Sequence, residues 1–198
     1  MAEQAALRDE AEALLLVDVQ RAFMSGVQAV PDHLRLRCAL DLLLEKARQY
    51  GVPVFFLQND GPEGASDAPG TEAWELFFPP QPGEAVLRKR QDDGFDGTDL
   101  EARLRTLGIR VIAFGGVLSE MCLAATARGA LARGFTVILA HDVHATYDVP
   151  AGPGGSPFVP AHLAARAAEW SLGDEAVLLA SATDVEFVAL PAEGGGQA

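Results

Sequence analysis

The stretch Ile109-Arg-Val-Ile-Ala-Phe-Gly-Gly-Val-Leu-Ser-Glu-Met-Cys122-Leu-Ala-Ala-Thr-Ala127 decides how this chain is read. Residues 109–114 are a short apolar run rich in β-branched and aromatic side chains, as in a strand buried on both faces. Gly115-Gly116 ends the run, and from about Ser119 the pattern becomes helical. Cys122 is therefore expected in the first turn of a helix, just beyond a strand. Free backbone N–H groups and the positive end of the helix dipole gather there, and such a setting lowers a thiol pKa. A free cysteine is also among the most commonly buried small apolar residues. Position alone leaves both readings open.

Working outward, strands and helices alternate along the whole chain. Ala13-Leu-Leu-Leu-Val-Asp18 is a first buried strand. Pro31-Asp32 opens a helix that runs to Tyr50 and is closed by Gly51. This helix is expected to bury Cys38, while Lys46, beside Glu45, is expected on its solvated side. Residues 52–58 make strand two. Residues 59–82, rich in Gly, Pro and acids, read as a long loop with a short helical piece near Trp74. Residues 84–89 form strand three, 99–107 a helix, 135–140 strand five, 161–172 a helix and 176–180 strand six. Residues 181–190 are read as a short terminal helix or extension, and about 191–198 as a loose tail. The pattern predicts a single α/β domain with a three-layer, Rossmann-like fold: a six-stranded, mainly parallel sheet with helices on both faces.

Composition excludes several classes of function. A chain of 198 residues with net charge −13 lacks the basic face that nucleic acid or an anionic membrane requires. The acidic N-terminus has no apolar core of a signal peptide, and no apolar run reaches membrane-spanning length. With only Cys38 and Cys122, no disulfide framework is expected, and a reducing cytoplasm is the natural location. Of 15 basic side chains only Lys46 and Lys89 are lysine. A position that keeps Lys among so many arginines needs a compact ammonium that shifts its pKa readily, and Lys89 is the one that asks for an explanation.

In a parallel sheet, ligands bind outside the carboxyl ends of the strands. Asp18 ends strand one, Gln58, Asn59 and Asp60 end strand two, and Lys89 ends strand three. The segment 115–122 follows strand four, and His141, Asp142 and His144 follow strand five. An acid, a rare lysine and a rare cysteine thus meet at one edge. Thiol attack on a carbonyl needs a base, charge stabilisation and an oxyanion site. Asp18 suits the first role and Lys89 the second. The backbone N–H groups of Leu118 and Cys122 suit the third. The bland alternatives are a strand-end acid and a surface lysine within Arg88-Lys89-Arg90.

Three motifs carry a resemblance to a known family. Leu-Leu-Val-Asp18-Val-Gln20-Arg-Ala-Phe23, Arg88-Lys89-Arg-Gln-Asp-Asp93-Gly-Phe95-Asp-Gly-Thr98-Asp-Leu100, and Gly115-Gly-Val-Leu118-Ser-Glu-Met-Cys122-Leu-Ala-Ala-Thr126-Ala occur in that order. Together they resemble the isochorismatase-like cysteine hydrolases, which include nicotinamidases and other amidohydrolases. The resemblance implies an Asp18–Lys89–Cys122 triad and a cis peptide between Val117 and Leu118. It also implies a homo-oligomer, a dimer or tetramer. Metal-binding members carry an Asp-x-His cluster after strand two, where this chain has Gln58-Asn59-Asp60-Gly61. No catalytic or substrate-binding metal and no cofactor are therefore expected. Cys122 argues against the vinyl-ether chemistry of isochorismatases proper. The implied activity is metal-independent hydrolysis of an amide or lactam C–N bond in a small molecule, through a cysteine acyl-enzyme. The alternative is a non-catalytic small-molecule binder or scaffold on the same fold. Phe23, Trp74 and Phe95 are candidate apolar walls of the substrate pocket. Asn59, Glu120, His144 and Tyr147 are candidate polar contacts.

Overall fold

The computed structural model describes residues 10–190. Its main sheet has six strands, β2 (Ala13–Val17), β3 (Val54–Asn59), β4 (Ala85–Lys89), β5 (Val111–Gly116), β6 (Thr136–His144) and β7 (Ala176–Leu179). Their order is β4-β3-β2-β5-β6-β7, every neighbouring pair parallel. β2 and β5, at the centre, are buried at every residue. The edge strands β4 and β7 are not. Continuous apolar runs thus mark the central strands, as burial on both faces requires. The helices are α1 (Arg21–Met24), α2 (His33–Tyr50), α3 (Leu100–Thr106), α4 (Ala124–Ala132) and α5 (Ala161–Trp170). Strand order runs one way from β2 to β4 and the other way from β5 to β7. Right-handed crossovers then set α2 on one face and α3, α4 and α5 on the other.

Differences from the expected elements have local causes. The segment near Trp74 forms turns rather than a helical piece, because Gln20 and Gln58 each donate a side-chain hydrogen bond to the Trp74 carbonyl. β6 continues to His144, so His141 and Asp142 lie within the strand. The continuation follows a register shift opposite Phe114 and Gly116. The terminal extension is a 3-10 turn (Ala182–Asp184) followed by β8 (Glu186–Phe187), which pairs in parallel with β1 (Glu10–Ala11). Lys46 is not a free surface charge: its Nζ donates to the carbonyls of Thr183 and Val185, fixing that extension to α2. Cys38 is exposed rather than buried, since the inward stripe of α2 is Leu36, Ala39, Leu40, Leu43, Leu44 and Ala47. The tail at 191–198 lies outside the described residues.

Two backbone features shape the carboxyl edge. Gly116 has φ +130°, and a Cβ there would stand 2.0 Å from the Val17 carbonyl oxygen. Only glycine lets the end of β5 approach β2 so closely. Asp18, directly after β2, has φ +51° and is the one non-glycine residue at positive φ among those described. Asp tolerates this region better than most residues, and such conformations concentrate at functional sites. The Val117–Leu118 peptide is cis, as the resemblance implies.

Candidate active site

Asp18 is placed by β2 and Lys89 by the end of β4. The lysine reaches across the end of β3, so that its Nζ stands 2.9 Å from Asp18 Oδ2. Both residues are buried, 3% and 2% exposed. Lys89 Nζ also donates to the Gln91 carbonyl at 3.2 Å. Asp18 Oδ1 is buried and has no hydrogen-bond partner. A buried charge pair costs desolvation that its attraction seldom repays in stability, and an unpartnered buried oxygen adds to that cost. An arrangement so poor as a structural device points to chemistry.

Cys122 is half-buried on the turn Ser119–Leu123, a wide π-type turn that leads into α4. Both Asp18 and Lys89 lie near enough to act on its thiol. The sulfur's hydrogen bond of ordinary geometry, however, goes to Asp92 Oδ1 at 3.6 Å and not to Asp18. The thiol pKa is pushed well up, first by burial and then by the Asp18 carboxylate, against the opposing pull of Lys89. This direction is opposite to the lowering expected of a thiol at a helix start. The helix start is irregular, with Met121 at φ −105°, ψ −109°. Asp18 is also raised, chiefly by burial, with Lys89 opposing. For Lys89 burial pulls downward, but the Asp18 and Cys122 charges outweigh it and the net shift is upward. Among the described residues, the Leu118 N–H donates to no protein acceptor.

The pocket candidates divide. Phe23 is half-buried and packs on the core. Asn59 Nδ2 donates to Asp67 Oδ2 at 2.7 Å, and its backbone N–H donates to Gln20 Oε1 at 2.9 Å. Trp74 is turned to Asp60, with Nε1 3.2 Å from Oδ1, and Arg88 stacks over its ring. Phe95 is not a cleft wall. It is 6% exposed and stacks on Phe135, just ahead of β6 and at the other end of that strand from His144. Glu120 accepts from Thr146 Oγ1, and Tyr147 donates to the Gln28 carbonyl. His144 is buried and tied to Ser119 and Glu169. Asp142 is structural, accepting from Ala182 N–H and the Ser181 hydroxyl.

Sequence reasoning missed Asp92 and Glu169. Asp92 is set by Thr126, whose hydroxyl donates to the Asp92 carbonyl and accepts from Gly94 N–H. That link is tertiary and leaves no local signal. Glu169 did leave one: it shares the buried face of α5 with Ala164, Ala165 and Ala168, and an acid on an alanine face calls for a partner. His141, His144 and Glu169 bring three potential metal-ligand atoms together. Both imidazoles meet one oxygen, Oε1, at 2.5 and 2.9 Å, while Arg166 stands 3.4 Å from the other. Those are hydrogen-bond separations. Donors at about 2.0–2.1 Å from one ion in a tetrahedron stand farther apart, so the trio suits a hydrogen-bonded cluster better than a metal centre.

The isochorismatase domain family matches residues 12–152. A streptothricin hydrolase of Streptomyces noursei is 56% identical over 183 residues, covering 91% of this chain and 72% of the relative. A second streptothricin hydrolase from the same organism is 54% identical, covering 91% of this chain and 66% of the relative. The solved structure of a putative isochorismatase hydrolase from Oleispira antarctica superposes with TM-score 0.80 at 29% identity, over 93% of this chain and 97% of that one. Its parallel sheet, the three motifs at the sheet's carboxyl edge and these relatives together make the chain a hydrolase of the isochorismatase family.

Proposed function

We propose that this hydrolase cleaves the C–N bond of a small amide or lactam, with Cys122 as nucleophile, Asp18 as proton carrier and Lys89 as the charge that organises them. The buried 2.9 Å Asp18–Lys89 pair beside a half-buried thiol carries this reading. Cys122 rests as a thiol, and Asp18, raised by burial, is a stronger base than an ordinary carboxylate. The sulfur proton passes to Asp18 as sulfur attacks the carbonyl carbon. The carbonyl electron pair moves onto oxygen, where the Leu118 and Cys122 N–H groups stabilise it. When the carbonyl re-forms, the C–N bond breaks and the leaving nitrogen takes the proton from Asp18. Water then attacks the thioester and gives a proton to Asp18. The C–S bond breaks, the acid departs, and the proton returns to sulfur.

Streptothricin is the first substrate to test, because two relatives at 54–56% identity bear that name. Mass spectrometry of enzyme and product, with streptothricin and a panel of simple amides, decides the matter. The expected result is a ring-opened product heavier by one water from a lactam, or an acid and an amine whose masses sum to substrate plus water from an acyclic amide, with a transient acyl adduct on Cys122 and loss of more than about 1,000-fold in turnover for Cys122→Ala. Wild-type turnover by Cys122→Ala would overturn the mechanism. No adduct and no turnover on any amide would favour a binding protein instead. Assembly as a dimer or tetramer belongs to the same reading, and the mass from light scattering tests it.

A further inference from the structure

The turn that carries Cys122 holds itself only in part, through the Met121 and Leu123 N–H groups, which donate to the Leu118 carbonyl at 3.1 and 3.2 Å. Met121, one residue before the thiol, is outside helical geometry, so a regular helical ladder does not fix the position of the sulfur. The turn is held in addition by the segment at the end of β6. Ser119 Oγ lies 2.8 Å from His144 Nδ1, Ser119 N–H donates to the Ala145 carbonyl at 3.1 Å, and Thr146 Oγ1 donates to Glu120 Oε1 at 2.9 Å. Three consecutive residues thus bind the first two residues of the turn. Ser119, His144 and Thr146 are each 1% exposed.

The Ser119–His144 contact is itself held from behind. Glu169, on α5, is 5% exposed, and its Oε1 lies 2.9 Å from His144 Nε2. A carboxylate only accepts, so Nε2 carries the proton. In the neutral ring Nδ1 is then the acceptor, and the Ser119 hydroxyl must donate. Glu169 also accepts from His141 Nδ1, and Arg166 stands at its other oxygen. Burial alone would raise the Glu169 pKa, but the two imidazole hydrogen bonds outweigh it and the net shift is downward. Ser119, His144 and Glu169 are buried and hydrogen-bonded in series, and a buried network of this kind fixes one geometry.

We propose that His144 is a positioning residue for the nucleophile: Glu169 orients its ring, and through the Ser119 hydroxyl it sets the turn that presents Cys122. The role rests on Cys122 being the nucleophile. It would belong to a Ser-His-Glu arrangement whose serine acts as an anchor and not as the attacking group.

The test uses Ser119→Ala, His144→Gln, Glu169→Gln and Glu169→Ala in a Cys38→Ser background, because Cys38 is exposed and would react with the probe. Three quantities are compared: melting temperature, the rate of Cys122 alkylation by iodoacetamide at pH 9, and kcat against KM. A nucleophile displaced by about 1 Å loses on the order of 100-fold in rate. The expected result is a kcat fall of roughly 10–100-fold with KM little changed, and an altered alkylation rate well below the melting temperature. Glu169→Gln, which keeps an acceptor oxygen, should retain more activity than Glu169→Ala. Ser119→Ala removes one oxygen atom and serves if the His144 variant fails to fold. Wild-type kcat and alkylation in a folded Ser119→Ala variant would overturn the proposal. A lower melting temperature with unchanged alkylation would overturn it too, since that is a merely structural role. The alkylation comparison needs no substrate. If Cys122→Ala proved active, the nucleophile reading would fall separately.

Discussion

Lys89 holds a carboxylate that the fold would otherwise keep protonated. Replacing Lys89 by Met leaves Asp18 buried and unpaired, and near neutral pH this should cost about 3–5 kcal/mol. The sign of the pH dependence follows from burial. Asp18 already has a pKa above its ordinary 3.8, so it weakens the fold as pH rises through its folded value. Without Lys89 that rise grows, and the variant should regain stability on acidification while it loses stability toward neutral pH. Urea melts from pH 4 to pH 8 check this; a flat difference from wild type would contradict it. Lys89 itself is raised above 10.5. Its contribution to the wild type is therefore complete below that value and lost as pH climbs through the higher folded one. Catalysis gives a second signature. Asp18 must be ionised to take the sulfur proton, so the acid limb of kcat/KM should lie above pH 3.8 and vanish, with most of the activity, in Asp18→Asn. The raised Cys122 thiol predicts slow alkylation of the resting enzyme at pH 6 and faster alkylation as pH increases.

The ends of β2 and β5 set the stage for these residues, and the tightest contact between them is at Gly116. A methyl group there would meet the Val17 carbonyl oxygen at 2.0 Å, and neither backbone can yield without opening the sheet. Gly116→Ala should therefore cost about 3 kcal/mol or more, read from the urea midpoint, and should move Asp18 and the Cys122 turn apart. At the other end of the same strands, Glu12 is fully buried and accepts from the N–H groups of Arg110 and Val111 and from the Arg110 guanidinium. Glu12→Ala strands those donors and should destabilise by about 1–3 kcal/mol with little effect on kcat, because it lies at the amino edge. A large kcat loss in Glu12→Ala would mean that the two edges are coupled.

Across the whole molecule, the two ends of the described chain are joined. β1 pairs with β8, Lys46 grips the 3-10 turn before β8, and Ala182, Val185 and Phe187 enter the core. Deleting residues 182–198 should expose the face that Val185 and Phe187 cover. At about 1.5–3 kcal/mol for each large side chain, the loss is roughly 3–6 kcal/mol, visible as a lower melting temperature. A truncated chain with wild-type stability would show that the extension is only laid on the surface. No helix among the described residues is long and apolar enough to cross a membrane.

Periodicity and spacing were enough to read the parallel sheet, the order of its elements and the meeting of Asp18, Lys89 and Cys122 at one edge. Each of those depends on burial patterns and strand ends, which local sequence records. The protonation of the thiol was not legible, because it depends on desolvation and on an acid 104 positions away in the chain. Nor was the Ser119–His144–Glu169 network, whose members come from a turn, a strand and a helix and meet only when α5 packs beside the sheet. Phe95 fits a pocket wall by residue type alone, and its stacking on Phe135 at the far end of β6 placed it elsewhere. Sequence patterns record which surfaces must be buried; tertiary packing alone decides which charges are desolvated together, and so how Cys122 gives up its proton.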